Sequence, residues 1–124
     1  MKTSKDYLSE ANSLVEKISV LDGIEKHKAG SALFIDVRDS ADINETGTIA
    51  NCLKIPRGMM EFAADENSQL FNLNLSKDKE IILVCGAGGM AALTGKTLLE
   101  MGYKRILNVG GIGDWIDAGG PIDT

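Results

Sequence analysis

Glu80-Ile81-Ile82-Leu83-Val84 is an apolar run without alternation, and it leads straight into Cys85-Gly86-Ala87-Gly88-Gly89. An alternating strand keeps one face in water, whereas a strand that is apolar at every position is covered on both faces. That run alone points to a sheet with helices packed on either side. A second run, Ala32-Leu33-Phe34-Ile35-Asp36-Val37, has the same form and closes on a charge. Shorter strands are expected at Ile18–Val20, at Cys52–Ile55 before Pro56, and at Ile106–Val109. Helical spacing lies between them. Residues 3–17 read as an amphipathic helix capped by Thr3 with Asp6, placing Tyr7, Ala11, Leu14, Val15 and Ile18 on one face. Residues 21–29 read as a short helix ending near Gly30, and Gly58–Ala64 as another. The helix after the cysteine loop covers roughly Met90–Met101, with Leu93, Thr97, Leu98 and Met101 inward and Gly102 as its stop. A last helix lies around Asp114–Asp117 and ends at Gly119-Gly120-Pro121. Residues 65–79 read as loop, anchored by Leu70, Phe71, Leu73 and Leu75.

Strands alternating with helices predict an α/β fold: a mostly parallel central sheet of about five strands with helices on both faces. The 124 residues suit one core. We read residues 1–17 as a helical extension and 18–124 as the domain. A net charge of −5 repels nucleic acid phosphates and anionic membranes, so neither is an expected partner. No apolar run approaches the ~20 residues of a membrane span. The polar N-terminus, without the apolar core of a secretory signal, predicts a cytoplasmic protein. Two cysteines, Cys52 and Cys85, are not a disulfide framework, and the lone His27 stands among lysines. No metal or cofactor is expected.

The strand–cysteine–glycine–helix sequence carries the chemistry. In a parallel sheet, ligands bind at the carboxyl ends of strands, where Cys85 stands. The backbone amides of Gly86, Ala87, Gly88, Gly89, Met90 and Ala91 can converge on one point, and the helix N-terminus adds partial positive charge. A thiolate is favoured there, and a persulfide or small anion fits the same cradle. The competing reading is a small buried cysteine at a strand end. The GxxxxGK[ST] spacing of a nucleotide phosphate loop is absent.

Three segments resemble the rhodanese (sulfurtransferase) family. They are Phe34-Ile35-Asp36-Val37-Arg38-Asp39; Gly47-Thr48-Ile49-Ala50-Asn51-Cys52-Leu53-Lys54-Ile55-Pro56-Arg57-Gly58; and Ile82-Leu83-Val84-Cys85 with its loop, followed by Leu98–Tyr103 and by Val109-Gly110-Gly111, Trp115 and Gly119-Gly120-Pro121. The resemblance implies the family fold and sulfur transfer. Cys85 would take the outer sulfur of thiosulfate or a persulfide donor, and a thiophilic acceptor or protein thiol would remove it. The six loop amides would hold the persulfide and the developing charge.

The chain departs from the family where charge is concerned. The usual Cys-Arg-x-Gly-x-Arg-Ser loop has Gly86 and Met90 at its cationic positions, and the next cation is Lys96. Arg57, just past the strand stopped by Pro56, is either the replacement charge or a surface arginine. The alternative to an enzyme is therefore a binding, persulfide-carrier or redox-sensing module. A cysteine phosphatase is disfavoured, because it needs an arginine closing the loop. Thr48, Ala50 and Asn51-Cys52 replace the usual His, Pro and Gly-Ala. Cys52 reads as a core residue, with a resolving thiol as the alternative. Arg38 is expected to pair with Asp42, Asp36 to accept hydrogen bonds from loop amides, Trp115 to be core or interface, and His27 to be too exposed for a catalytic base.

Overall fold

The computed structural model describes all 124 residues. Helix α1 (Ser4–Leu14) begins with the capping box read from the sequence: Asp6 N–H donates to Thr3 Oγ1 and Thr3 N–H to the Asp6 carboxylate. Then follow β1 (Glu16–Lys17), α2 (Val20–Ala29), β2 (Leu33–Asp36), α3 (Ser40–Thr46), β3 (Thr48–Ile49) and β4 (Leu53–Lys54). A 3-10 turn at Arg57–Met59 leads into α4 (Met60–Ala63). The chain closes with β5 (Glu80–Cys85), α5 (Gly89–Glu100), β6 (Arg105–Gly111), α6 (Ile112–Asp117) and β7 (Ile122–Asp123).

Five strands form one parallel sheet in the order β1-β6-β5-β2-β4, while β3 and β7 pair antiparallel beside it. The two continuous apolar runs, β2 and β5, are central and neighbouring, as covering on both faces requires. One face packs Ile35, Leu83 and Cys85 against Met60, Ala63, Ala91 and Leu98 from α4 and α5. The other packs Phe34, Ile82 and Val84 against Ile24, Ile112 and Trp115 from α2 and α6. No helix is long and apolar enough to cross a membrane.

Several expectations are corrected. The segment expected as strand Ile18–Val20 instead caps α2: Ser19 Oγ accepts from Asp22 N–H, and the strand falls earlier, at Glu16–Lys17. On α1 only Ala11 is buried, with Val15 just past its end; Tyr7 and Leu14 stay exposed. In the 65–79 loop, Leu75 is buried and Phe71 packs on the core, but Leu70 and Leu73 face solvent. Arg38 pairs with the Asp36 carboxylate at 2.9 Å, and Asp42 offers it only a backbone carbonyl at 3.4 Å. His27 is half-buried, its Nε2 2.8 Å from the Ala50 carbonyl and its ring against Phe34 and Trp115.

Candidate active site

Strand β5 delivers Cys85 to the carboxyl edge of the sheet, level with Gly111 at the end of β6. Gly88 then turns the chain with φ 100°, a left-handed conformation that a residue without Cβ adopts freely, and α5 begins. Gly88 has no side chain to cap that helix. The cysteine sulfur does so instead: the amides of Gly88 and Ala91 donate to Sγ at 3.0 and 3.3 Å. Of the six amides expected to converge, these two reach the sulfur. Those of Gly89 and Met90, first in the helix, have no partner in the chain. Cys85 is 1% exposed. The arrangement stabilises negative charge at one sulfur and leaves two donors beside it.

The loop is held from below by a residue that the sequence reading missed. Asn108, buried in β6, donates from Nδ2 to the Gly88 carbonyl at 2.9 Å and accepts the Gly110 amide at 2.8 Å. A lone polar residue within Ile106-Leu107-Asn108-Val109 was the available signal, because a buried amide needs partners of its own. Gly111 supports the loop by having no side chain. A Cβ there would strike the Gly86 carbonyl oxygen and lie 3.2 Å from the Ala87 Cα. Gly111 has an ordinary φ of −94°, so the constraint is steric. Gly111→Ala is expected to cost about 1–3 kcal/mol and to slow chemistry at Cys85 roughly tenfold or more by shifting the loop. Thermal unfolding and turnover check this; an alanine variant equal to wild type in both would show that the loop gives way freely.

Arg57 stands beside two residues of the loop. Its amide donates to the Val37 carbonyl at 3.0 Å, and its side chain lines a cleft shared with Gly89 and Met90. Cys52 does not reach the site. Register puts Cys52 level with Phe34 and Ile82. That is three residues short of Cys85 and two strands away, roughly 10 Å in each direction. Cys52 also packs on the opposite face of the sheet, against the α2–α6 core. Its thiol lies 3.3 Å from Thr48 Oγ1, and burial pushes its pKa up. A direct disulfide needs Cα atoms within about 7 Å, so Cys52 is a core residue here.

Asp36, at the end of β2 and level with Val84, is completely buried. Its carboxylate accepts the Arg38 amide, the Arg38 guanidinium and Thr48 Oγ1, the last at 2.6 Å. Arg38 goes on to Thr46 Oγ1 and the Gly47 carbonyl, each at 2.9 Å. The pair ties the strand end beside the cysteine loop to α3 and β3. Trp115 is core, its Nε1 donating to the Pro121 carbonyl.

The family model for the rhodanese-like domain matches residues 18–118. The chain is 30% identical over 91 residues to a protein of Allochromatium vinosum named sulfurtransferase, covering 73% of this chain and 77% of that one. Among solved structures, a Rhodopseudomonas palustris protein of unknown function, described as a possible tyrosine phosphatase, is similar with a TM-score of 0.94 and 36% identity, covering 99% of this chain and 96% of that one. The polysulfide-sulfur transferase homodimer of Wolinella succinogenes is similar with a TM-score of 0.76 and 28% identity, covering 96% of this chain and 85% of that one.

Proposed function

The chain belongs to the rhodanese-like domain family, and from that premise we propose that it is a sulfurtransferase carrying sulfane sulfur as a persulfide on Cys85. The observation that carries this reading is the pair of amides, Gly88 and Ala91, aimed at Cys85 Sγ. They stabilise the attacking thiolate, and the free amides of Gly89 and Met90 are donors for the sulfur it receives. The burial of Cys85 favours a slender reacting group, and a terminal sulfur atom is one. The name of the Allochromatium vinosum relative supports sulfur transfer in general. The donor is thiosulfate or a persulfide, and the acceptor a thiophile or protein thiol.

Phosphate ester hydrolysis fits less well, despite the description of the Rhodopseudomonas palustris neighbour. Bidentate recognition of phosphate needs a guanidinium closing the loop. The first cation after Cys85 is Lys96, 3.4 Å from Glu100. The same lack of charge favours a second reading, a carrier or binding module that turns over slowly or only senses oxidants.

Turnover with cyanide as acceptor separates the readings, using thiosulfate, polysulfide and an organic persulfide in turn as donor. Sustained thiocyanate release from any of them supports the enzyme. Release from none hands the lead to the carrier or binding module. Met90 marks the missing charge and is partly exposed. Met90→Arg is therefore expected to raise thiosulfate turnover about tenfold, the lower range for a charge-assisted hydrogen bond. An unchanged rate would mean that loop charge does not limit thiosulfate use.

A further inference from the structure

Beside the loop lies a cleft of about 470 Å³ whose outer wall is α1, a helix preceding the residues that match the family. Tyr7 and Leu8 from α1 face Met90 and Leu93 from α5, and Arg57 completes the lining. The helix is seated on the loop itself: a Cβ on Gly89 would come within 3.3 Å of Leu8 Cδ2. Arg57 enters none of the seven ion pairs of the chain, and its guanidinium has no hydrogen-bond partner. One unpaired, half-buried cation thus stands in an otherwise largely apolar cleft next to the sulfur cradle.

This composition suits neither a compact dianion nor a bare sulfur chain. A compact dianion leaves the apolar wall unused, and a sulfur chain has no carboxylate for the guanidinium fork to hold bidentately. An organic molecule with a carbon skeleton and one carboxylate uses both features. Resting on the reading of Cys85 as sulfur carrier, we propose that this cleft binds the organic part of a carboxylate-bearing persulfide donor, R–S–S–H. The skeleton lies on Tyr7, Leu8 and Leu93, and the carboxylate pairs with Arg57. The Cys85 thiolate attacks the outer sulfur and a new S–S bond forms. The donor's S–S bond breaks, its electron pair leaves on R–S⁻, and Cys85–S–S–H remains. R–S⁻ takes its proton from solvent, so no oxidant or reductant is consumed. α1 is then a specificity element of the site.

The test compares loading rates of Cys85, read by intact mass, from N-acetylcysteine persulfide, its methyl ester and inorganic polysulfide. Wild type is expected to prefer the free acid over the ester about tenfold at low donor concentration, and Arg57→Gln to abolish that preference. Tyr7→Ala replaces an exposed side chain, so it leaves the fold standing. It is expected to lower the rate for both organic donors severalfold relative to polysulfide. Loading that is indifferent to the carboxylate, or an equal response of all three donors to both variants, overturns the cleft assignment while leaving Cys85 as carrier. No loading from any donor overturns both.

Discussion

Cys85→Ser is expected to remove sulfur transfer by a factor of at least about a thousand, for any donor and acceptor, without unfolding the protein. A serine hydroxyl does not form the persulfide, so no remaining group takes over the step. The fold tolerates the exchange because the hydroxyl oxygen accepts from the same Gly88 and Ala91 amides that now reach Sγ. The slightly smaller atom leaves the packing against Leu83 and Leu98 nearly intact. Turnover and thermal unfolding, measured side by side, give the result. Residual transfer at a tenth of the wild-type rate would place the sulfur on another group, with Cys52 the first to test.

Arg38→Met is expected to cost about 3–5 kcal/mol, because it strands the Asp36 carboxylate where no water reaches it. Asp36 is 0% and Arg38 5% exposed, and three side-chain contacts of 2.9–3.2 Å join them. Removing the guanidinium also leaves Thr46 Oγ1 without its donor and takes one of two from the Gly47 carbonyl, which keeps the Thr46 hydroxyl. Domains of this size are stable by only about 5–15 kcal/mol, so the loss is a large part of the whole. Urea unfolding measures it. Asp36→Leu combined with Arg38→Met is expected to cost less than the sum of the single changes, since the two groups act as one unit. A loss under about 1 kcal/mol for Arg38→Met would mean that the carboxylate finds water or another donor.

The site was legible where its signal is local. The β5 run, Cys85 and the glycines after it are contiguous, and they specify a buried strand, a sulfur and a turn in one stretch of chain. The central sheet was legible because β2 and β5 are apolar at nearly every position. What could not be read depends on tertiary choice. Arg38 is long enough to reach either Asp36 or Asp42, and only the geometry at the end of β2 selects Asp36. β3 and β7 are two residues each and lie far apart in sequence, so no period marks their pairing. The helix α3 is a short polar segment, Ser40–Thr46, with only Ile43 buried, and gives little periodic signal. The exposed Tyr7 and Leu14 follow from how α1 docks. It rests on a narrow stripe, with Val15 so close to α5 that a Cβ on Gly95 would lie 2.9 Å from it. Tyr7 is left exposed, on the wall of the cleft by the loop.

In the proposed mechanism the transferred sulfur resides on Cys85. Intact mass of the reduced protein after incubation with a persulfide donor, alongside Cys85→Ser, tests it most directly. The wild type is expected to gain one sulfur atom that cyanide removes and that the serine variant lacks. A wild type that gains nothing, or a serine variant that gains the same sulfur, would contradict it.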